Sequence, residues 1–401
     1  MSTRNGVRLA AVSFKECWSD ERGRWYSTGG FPLQMRAIGS LVDEMVLVTV
    51  GVNAPAAGAN GGGGIELPAS IRVLPLRPLP GKDARRKLAV AVRLPYYLWK
   101  IAAGIRGADV VHVPLPGDIP LLALFVALLF RKKTLVRYGG SWVANGRTTI
   151  MNRVTQQCMR LFAGGRNVML ATGSGAEAPA PGIDWIFSTA LSRAELERIP
   201  PGTDRDIGVA PRLIYVGRLS PEKGVPVLLR ALASLAREGF EPLPDLVLAG
   251  DGPQRAELEA LARELGIAEI TCFAGQLERA ALSRQLAEAD LCVQPSLTEG
   301  FSKAWLDAMA HGVPVLSSSV GAAPAVVGGD GERGWLVPPG DVEALSSVLR
   351  SVLRGPVDWV ALRHRCRAYV EERTLEVWAR DIGLRCAGQW GWKLEDGRLR
   401  E

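Results

Sequence analysis

The stretch TEGFSKAWLDAMAHGVPV, residues 298–315, decides the fold of this chain. Its pattern predicts a loop after a strand, a helix over residues 301–311, and a new strand at Val315–Ser317. Two acids, Glu299 and Asp307, stand eight positions apart. At 100° per residue they would lie about 80° apart and face one cleft, at the carboxyl ends of parallel strands where open α/β sheets bind ligands. The alternative is a loop and a helix with two ordinary surface acids.

A second motif, LIYVGRLSPEKG at residues 213–224, carries the features of a phosphate-binding loop. Gly217 ends an apolar strand and lets the backbone approach a ligand closely. Arg218 offers a planar fork of donors, and Lys223 adds a positive charge before a predicted helix start, where anions are favoured. The alternative is a charged turn with solvated side chains.

Together these motifs resemble the signature of glycosyltransferase family 4, the glycosyl transferases group 1, which are retaining enzymes of the GT-B fold. The family pattern is Glu, seven residues, Glu, and this chain keeps the spacing with Glu299 and Asp307. The resemblance implies that Glu299 contacts the donor sugar and that Asp307 holds the nucleotide ribose. It also implies that Arg218 and Lys223 clamp the donor diphosphate as it leaves. Glu299, Arg218 and Lys223 are therefore the predicted catalytic residues.

The resemblance implies a wider donor-binding set on loops that follow strands. This set comprises Arg218, Lys223, Glu299, Gly300, Phe301, Ser302, Asp307, Gly250, Gly275, Gly29 and Gly30. Gly250 and Gly275 stand in the order that the family shows. Gly29-Gly30 comes after the first strand, where the family places a glycine-rich loop near the donor phosphate and the acceptor. For this pair a plain tight turn is the alternative.

The first half of the chain follows the family less closely. His112 lies in the strand that leads to the family's His-x-His pattern, but Pro114 stands where many members place the sugar-contacting histidine. We expect His112 either to contact the sugar or acceptor or, equally, to pack structurally. Asp118 is a further candidate for the same contact.

Apolar strands alternate with helical segments along the whole chain, which predicts parallel sheets covered on both faces. The expected strands are Arg8–Val12, Met45–Val50, Arg72–Leu76, Val110–His112, Thr134–Arg137, Val168–Ala171, Leu213–Gly217, Leu246–Gly250, Ile270–Phe273, Leu291–Gln294, Val315–Ser317 and Trp335–Val337. Amphipathic helices are expected at Val225–Glu238 and Gln254–Leu265.

Two such halves predict an α/β protein, and the resemblance implies a GT-B architecture with two Rossmann-like domains whose parallel sheets face an interdomain cleft. An N-terminal acceptor-binding domain is predicted at residues 1–198. A donor-binding domain is predicted at residues 199–375, after a linker rich in turn formers. The tail, residues 376–401, is expected to cross back to the first domain.

Composition narrows the class of protein further. The chain has 401 residues, of which 47% are hydrophobic, as in an ordinary globular protein. Six dispersed cysteines predict a reducing compartment, and three histidines argue against a His-rich metal centre. We expect no metal and no cofactor, since the nucleotide-sugar is a co-substrate. The longest apolar run, residues 119–130, is too short to span a bilayer, and we predict a cytoplasmic protein.

Charge is distributed unevenly between the two halves. Residues 1–200 carry 25 Lys and Arg against 13 Asp and Glu, a net charge of +12, whereas residues 201–401 carry 23 against 28, a net charge of −5. The basic half predicts an anionic partner. The basic cluster at residues 81–87 and the aromatic segment Leu88–Ile101, which Pro95 is expected to interrupt, suit an anionic membrane surface. A solvated cluster before a core helix is the alternative, and no motif supports nucleic acid.

The sequence thus predicts a retaining glycosyltransferase that acts on a nucleotide-sugar donor and on a glycan or lipid-linked acceptor hydroxyl. Its expected setting is bacterial surface polysaccharide or glycolipid synthesis, in the cytoplasm or peripherally on the cytoplasmic face of the membrane. Two alternatives remain open, a sugar-nucleotide epimerase of the same fold and a non-catalytic sugar-nucleotide-binding subunit. A nicotinamide dehydrogenase ranks last, because no Gly-x-Gly-x-x-Gly follows the first strand.

Overall fold

Two parallel sheets, each in its own unit of the chain, carry the fold. The computed structural model describes residues 6–54, 64–78, 84–142, 149–200, 202, 204 and 206–401, without the side chains of residues 84–91. One unit holds the described residues of Met1–Ala56, Gly63–Ala190 and Leu375–Glu401, and the other holds those of Leu191–Thr374. The chain therefore changes unit after Ala190 and after Thr374, where the sequence analysis draws its boundaries after residues 198 and 375.

The first unit is built on a sheet whose central strands are parallel. The strands are β1 (Arg8–Ser19), β2 (Trp25–Ser27), β3 (Glu44–Gly51), β4 (Ile65–Glu66), β5 (Ile71–Leu76), β6 (Val110–Leu115), β7 (Lys133–Tyr138), β8 (Asn167–Thr172) and β9 (Ile183–Ile186). The parallel order is β5-β3-β1-β6-β7-β8-β9, and the antiparallel strands β2 and β4 are added beside the end of β1.

Helices cover both faces of this first sheet. They are α1 (Phe31–Gly39), α2 (Ala84–Arg106), α3 (Asp118–Leu129), α4 (Ile150–Phe162) and, from the end of the chain, α13 (Leu375–Trp390), which is followed by the hairpin β16 (Lys393–Glu395) and β17 (Arg398–Arg400). Because strand residues alternate between faces, Leu9 joins the core formed with α1 and α13, whereas Ala10 joins the core formed with α2 and α3. Trp378 of α13 is fully buried in the first of these cores.

The second unit is a separate α/β layer structure. Its elements are α5 (Arg193–Arg198), β10 (Arg212–Val216), α6 (Val225–Arg237), β11 (Asp245–Ala249), α7 (Arg255–Glu264), β12 (Thr271–Gly275), α8 (Arg279–Glu288), β13 (Leu291–Gln294), α9 (Lys303–Ala310), β14 (Val315–Ser318), α10 (Ala323–Val327), β15 (Gly334–Val337), α11 (Val342–Arg354) and α12 (Trp359–Glu371). The six strands are parallel in the order β12-β11-β10-β13-β14-β15. Leu228 of α6 and Leu349 of α11 are fully buried in its core.

The periodicity of the sequence predicted most of this organisation. All twelve expected strands form, and the two expected amphipathic helices are α6 and α7. The helix expected at residues 301–311 is α9, which begins at Lys303. The short strands β2, β4 and β9 and the terminal hairpin were not predicted, because segments of two to four residues carry too little periodicity to be recognised.

The expected interruption at Pro95 is wrong. Helix α2 runs without a break from Ala84 to Arg106 with Pro95 inside it. An interior proline costs a helix about 3 kcal/mol through a lost hydrogen bond and a steric clash. The next turns bury Tyr97, Ile101 and Ile105 almost completely. Burial of that kind contributes about 1.5–3 kcal/mol per large side chain, which offsets the cost.

Candidate active site

The sheet of the second unit changes direction at its centre. Strand β10 pairs with β11 on one side and with β13 on the other, so the connections that follow β10 and β13 leave toward opposite edges. In an open parallel sheet such a point leaves a crevice at the carboxyl ends of the two strands. The motif at residues 213–224 comprises most of β10 and the loop after it, and the motif at residues 298–315 follows β13.

Three glycines bring the loops after β10, β11 and β12 close together. Gly217 donates its N–H to the carbonyl of Ala249 at 3.0 Å, and Gly250 forms a bridge with Gly275. A Cβ atom added at Gly250 would lie 1.8 Å from the carbonyl oxygen of Gly217. Glycine is therefore required at position 250, and the edge beside β10 is bare backbone that a ligand can approach.

The loop after β10 is held against the loop after β13 by main-chain contacts. Gly224 adopts a φ of +66°, and a Cβ there would lie 2.1 Å from the carbonyl oxygen of Pro295. The N–H of Leu297 donates to the carbonyl of Glu222 at 2.9 Å. The hydroxyl of Tyr215 donates to the carbonyl of Arg218 at 2.8 Å. These contacts hold the backbone of the loop in place without using the charged side chains that the loop carries.

Lys223 and Glu299 form an ion pair across this junction, although they are separated by 76 positions in the chain. Both side chains are largely covered, with 22% of Lys223 and 15% of Glu299 exposed. Arg218, the other cation of the predicted clamp, is exposed at the start of the same loop. The structure therefore brings the predicted cation Lys223 and the predicted acid Glu299 together at the change in strand order.

A second acid, Glu222, adjoins the pair. The Ser220 hydroxyl donates to a Glu222 carboxylate oxygen at 2.5 Å. Burial pushes the pKa of Glu222 upward, but the hydrogen bond from Ser220 and the charges of Lys223 and Arg218 outweigh it, so the pKa is lowered. Glu222 is thus held as a carboxylate beside the two cations, a feature that the sequence analysis did not select.

The loop from Glu299 to Ser302 leads into the amino end of α9. Gly300 is buried, and its carbonyl accepts the N–H of Ala322 at 2.9 Å. Phe301 is buried against Trp305, with ring centroids 5.8 Å apart. Ser302 is the N-cap residue of α9, and its side chain accepts no hydrogen bond from the backbone N–H groups of the first turn. The first backbone N–H groups of α9 can therefore bind an anion.

Asp307, the second acid of the spacing, has different neighbours. It lines a small cavity of about 40 Å³ together with Arg279, Glu195 and His311. Neither Lys223 nor Glu299 lines this cavity. The helical geometry used to place both acids in one cleft begins only at Lys303, so it does not fix the direction of Glu299. The side chains of Asp307 and Glu299 thus contact different residues. The roles expected for them, binding of the ribose by Asp307 and of the sugar by Glu299, stay predictions.

The charges around Asp307 are organised by Arg279. The Arg279 guanidinium makes a two-point contact with Glu195, in which one of the two distances is 2.6 Å. Burial raises the pKa of Asp307, the charge of Arg279 lowers it, and the charge of Glu195 raises it, with a net increase. Arg279 and Glu195 were missed by the sequence analysis. They lie 84 positions apart, and no local pattern joins them.

His311 closes the same cavity. Its Nδ1 is 2.9 Å from the carbonyl oxygen of Asp307, which can only accept, and its Nε2 is 2.8 Å from the Ser283 hydroxyl. Burial lowers the pKa of His311. A neutral imidazole with an Nδ1 proton therefore accepts from Ser283 and fixes the end of α9.

The predicted residues of the first unit lie at two places. Gly29, exposed and with a φ of +66°, and the half-buried Gly30 lie in the turn between β2 and α1, and Gly30 is the N-cap residue of α1. Asp118 is the first residue of α3 and half-buried. The positive φ of Gly29 explains the glycine by backbone conformation, which agrees with the plain tight turn named as the alternative.

His112 is fully buried in the middle of β6. Its Nδ1 donates to the carbonyl of Leu135 at 3.0 Å, and its Nε2 meets no hydrogen-bond partner within the described residues. Burial lowers the pKa of His112 to about 3, with a further contribution from the charge of Arg137. This position fits the structural alternative for His112.

The described part of the chain bears on metal ligands and on membranes. Within those residues, no three His, Cys, Asp or Glu side chains are grouped so that they could hold a metal ion. No helix among them is both long and apolar enough to cross a bilayer.

The chain is similar to known proteins in sequence and in structure. Residues 208–373 match a family model described as glycosyl transferases group 1. The chain is 38% identical over 254 residues to an MMP alpha-(1->4)-mannosyltransferase of Mycolicibacterium hassiacum, which is 61% of this chain and 56% of that protein. It is 32% identical over 246 residues, 54% of this chain and 58% of the relative, to a GDP-mannose-dependent alpha-(1-6)-phosphatidylinositol monomannoside mannosyltransferase of Mycolicibacterium smegmatis. The chain thus spans little more than half the length of these curated relatives.

The structural likeness extends over nearly the whole chain. The crystal structure of Anabaena HepE in complex with UDP and glucose superposes with a TM-score of 0.68 and 16% identity, covering 96% of this chain and 99% of that one. This likeness confirms the predicted fold class, an α/β protein of the GT-B type with two Rossmann-like domains.

Proposed function

Residues 208–373 place the second unit of this chain in the glycosyl transferases group 1 family, and on that premise we propose that the protein is a retaining glycosyltransferase. It transfers a sugar from a nucleotide-sugar donor to a hydroxyl group of a glycan or lipid-linked acceptor. The observation that carries the proposal is the ion pair of Lys223 and Glu299, at the point where the strand order reverses. An oppositely charged pair at that point suits a ligand that is anionic at one end and rich in hydroxyl groups at the other.

In this proposal the cations act on the leaving group. The bond between the anomeric carbon and the diphosphate oxygen breaks, and a bond from the acceptor oxygen forms on the same face of the sugar. The acceptor proton passes to the departing diphosphate, so no protein base is needed. Arg218 and Lys223 stabilise the negative charge that develops on the diphosphate, and the N–H groups at the start of α9 add to this effect.

Glu299 has two roles in this scheme. Before the donor binds, its carboxylate pairs with Lys223, so the site holds a nearly neutral pair. When the diphosphate replaces Glu299 as the partner of Lys223, Glu299 accepts hydrogen bonds from sugar hydroxyl groups. Gly300, Phe301 and Ser302 fix the loop that carries it, and Asp307 binds the ribose from the neighbouring cavity. Gly217, Gly250 and Gly275 admit the nucleotide because their edge has no side chains.

The relatives suggest which donor to test first. Both curated relatives described above are mannosyltransferases, and one of them is GDP-mannose-dependent. The structural neighbour was solved with UDP and glucose. We therefore propose a hexose donor, with GDP-mannose tested before UDP-glucose, and we propose that no metal ion is needed. One relative acts on a phosphatidylinositol mannoside, which supports a lipid-linked acceptor and a peripheral position on the cytoplasmic face of the membrane.

The test is a Lys223→Ala variant, assayed for transfer and for binding of GDP-mannose and UDP-glucose. We expect kcat/KM to fall about 10²- to 10³-fold, as when a single stabilising donor is removed from an enzyme's transition state. The main-chain contacts of the loop do not involve the lysine side chain, so folding should be retained. Arg212→Ala is the matched control, because Arg212 lies at the opposite end of β10 in an exposed ion pair with Glu288.

Two outcomes would contradict the proposal. An unchanged transfer rate in Lys223→Ala would show that Lys223 does not stabilise the leaving diphosphate. Binding of nucleotide sugars by the wild-type chain without transfer to any acceptor would favour the non-catalytic subunit. Incubation with donor alone tests the remaining alternative, because an epimerase would convert the sugar without an acceptor.

A further inference from the structure

Helix α4 turns its apolar side chains outward. At 100° per residue Ile150, Val154 and Leu161 fall within about 40° of one another, and these three residues are here called the apolar stripe. The residues that α4 buries are Thr155, Gln156 and Met159, two of which are polar. A surface helix normally buries its apolar side against the core. The apolar side of helix α4 therefore does not pack against the core of its own unit.

The exposure of the apolar stripe is large. Ile150 is 81% exposed, Leu161 is 73% exposed, and Val154 is about half exposed. The stripe follows a helix of 13 residues, which is about 20 Å long. Isolated exposed hydrophobic residues are normal, but three on one helix face, with only the polar Gln157 between Val154 and Leu161, mark a surface that meets an apolar partner.

Helix α3 extends this apolar surface. The rings of Phe125 in α3 and Phe162 in α4 pack edge to face with centroids 6.3 Å apart. Phe125 is 45% exposed, and Leu129 at the end of α3 is 78% exposed. Two neighbouring helices thus present large apolar side chains to solvent at one place on the first unit.

Cations accompany the apolar side chains. Arg153 and Arg160 are exposed and lie on one flank of the apolar stripe. Between the ends of α3 and α4 is an open groove of about 450 Å³, whose lining includes the apolar Leu161 and the cations Arg131 and Arg166. Long basic side chains beside apolar ones are the pattern of helices that lie in the plane of a membrane interface.

The positive charge of this surface indicates which kind of partner it binds. From residue 119 to residue 176 the sequence contains no Asp or Glu, and four of its cations, Arg131, Arg153, Arg160 and Arg166, are exposed on or beside α3 and α4. A second copy of this chain is a poor occupant, because a twofold contact of this surface with itself would bring cations against cations. A bilayer with anionic headgroups satisfies both features, since it offers phosphates to the arginines and acyl chains to the stripe.

We propose that α4 and the end of α3 form a docking surface for an anionic lipid bilayer. Ile150, Val154 and Leu161 enter the boundary between headgroups and acyl chains, and Arg153 and Arg160 contact lipid phosphates. The cluster at residues 81–87, for which the sequence leaves a membrane surface and a solvated cluster open, lies outside the described residues or has no described side chains, and the proposal does not use it. The inference assigns residues to the peripheral membrane position named under the proposed function, and its test does not depend on glycosyl transfer.

Vesicle sedimentation of the full chain tests the surface. Wild-type protein should bind vesicles of phosphatidylcholine with about one third phosphatidylglycerol at low salt, and binding should fall steeply with added salt or without the anionic lipid. The triple substitution Ile150→Ser, Val154→Ser and Leu161→Ser should lower the partition coefficient at least about tenfold, because the apolar contact is lost. Arg153→Gln with Arg160→Gln should lower it several-fold.

Matched controls come from exposed residues elsewhere. Val209, Val360 and Leu384 are exposed apolar residues outside the docking surface, and their replacement by serine should leave vesicle binding unchanged. Arg230→Gln with Arg263→Gln is the charge control, since both arginines are exposed in the second unit. Thermal unfolding should show that the triple variant is folded.

Three results would overturn the inference. They are no binding of the wild-type chain to anionic vesicles, equal loss in the triple variant and its control, and a concentration-dependent dimer that the triple variant abolishes. Nucleotide binding, measured by thermal shift on the same samples, reports on the proposed function separately. A chain that binds nucleotide sugars but not vesicles would reject the docking surface alone.

Discussion

Helix α4 of the first unit and helix α11 of the second have the same length, 13 residues, and both are strongly amphipathic. Helix α11 buries its apolar side, with Leu345, Leu349 and Val352 inside the core. Helix α4 buries Thr155 and Gln156 and leaves Ile150 and Leu161 in solvent. The same periodic pattern therefore serves packing in one unit and, by our inference, recognition in the other.

This difference extends beyond the two helices. Among the described residues, all of the large exposed hydrophobic side chains except Val209 and Val360 belong to the first unit. The first unit also holds most of the positive half of the sequence. The second unit keeps its large apolar residues inside except for Val209 and Val360, and it places charges at the carboxyl ends of its strands. By our proposals, the first unit meets a surface and the second binds a small anionic ligand.

The buried and exposed ion pairs of the two units give the largest expected contrast. In the second unit Asp290 pairs with Arg363 at 3.0 Å, and both side chains are almost fully buried. In the first unit Asp43 pairs with Arg398 at 2.9 Å and Arg400 at 2.6 Å near the surface. Asp290→Asn should lower the free energy of unfolding by about 3–5 kcal/mol, because it leaves a buried guanidinium without its counter-charge.

Asp43→Asn should cost about 1 kcal/mol or less, since solvent replaces much of an exposed pair. Urea denaturation of the full chain measures both changes. Equal effects of the two substitutions would show that burial does not determine how much each ion pair contributes to the free energy of unfolding.

Truncation of matched leucines sharpens the comparison of the two helices. Leu349→Ala in α11 should destabilise the protein by about 2–5 kcal/mol, through lost burial and a new cavity. Leu161→Ala in α4 should change the free energy of unfolding by no more than about 0.5 kcal/mol, because the side chain is already in solvent. A large loss of stability in Leu161→Ala, measured by thermal unfolding, would mean that the stripe packs within the unit.

A smaller effect than the loss of the buried ion pair is expected from the pH dependence of the stability of the first unit. Burial lowers the pKa of His112 to about 3, whereas an unfolded histidine titrates near 6.5. As the pH falls the unfolded state binds the proton first, so the stability from neutral His112 is present above pH 6.5 and is lost progressively toward pH 3. Between pH 6.5 and pH 5 the loss should be about 2 kcal/mol.

His112→Asn should flatten this dependence, because the amide can still donate to the carbonyl of Leu135 but does not titrate. Urea midpoints at pH 6.5 and pH 5 compare the variant with the wild type. His311 of the second unit, whose pKa is also lowered by burial, remains in both proteins and supplies any common residual slope. An unchanged slope in His112→Asn would place the titration elsewhere.

Some of the candidate site could be read from short-range patterns. Lys223 and Glu299 were predicted to act together because the motifs that carry them resemble those of glycosyltransferase family 4, and each motif includes a loop that follows an apolar strand. Arg279 and Glu195 could not be found in this way. Their contact depends on where α5 meets α8, and no spacing in the sequence reports that distance.

The sequence by itself determined the twelve expected strands, the amphipathic helices α6 and α7 and the family motifs of the second unit, because periodicity and glycine placement are local and act wherever the chain goes. Only the tertiary structure decided which acid meets which cation, which histidine is buried, and which face of an amphipathic helix points outward. Those outcomes depend on distances between residues far apart in the chain, and a hydrophobic stripe has the same period whether a core or a membrane receives it.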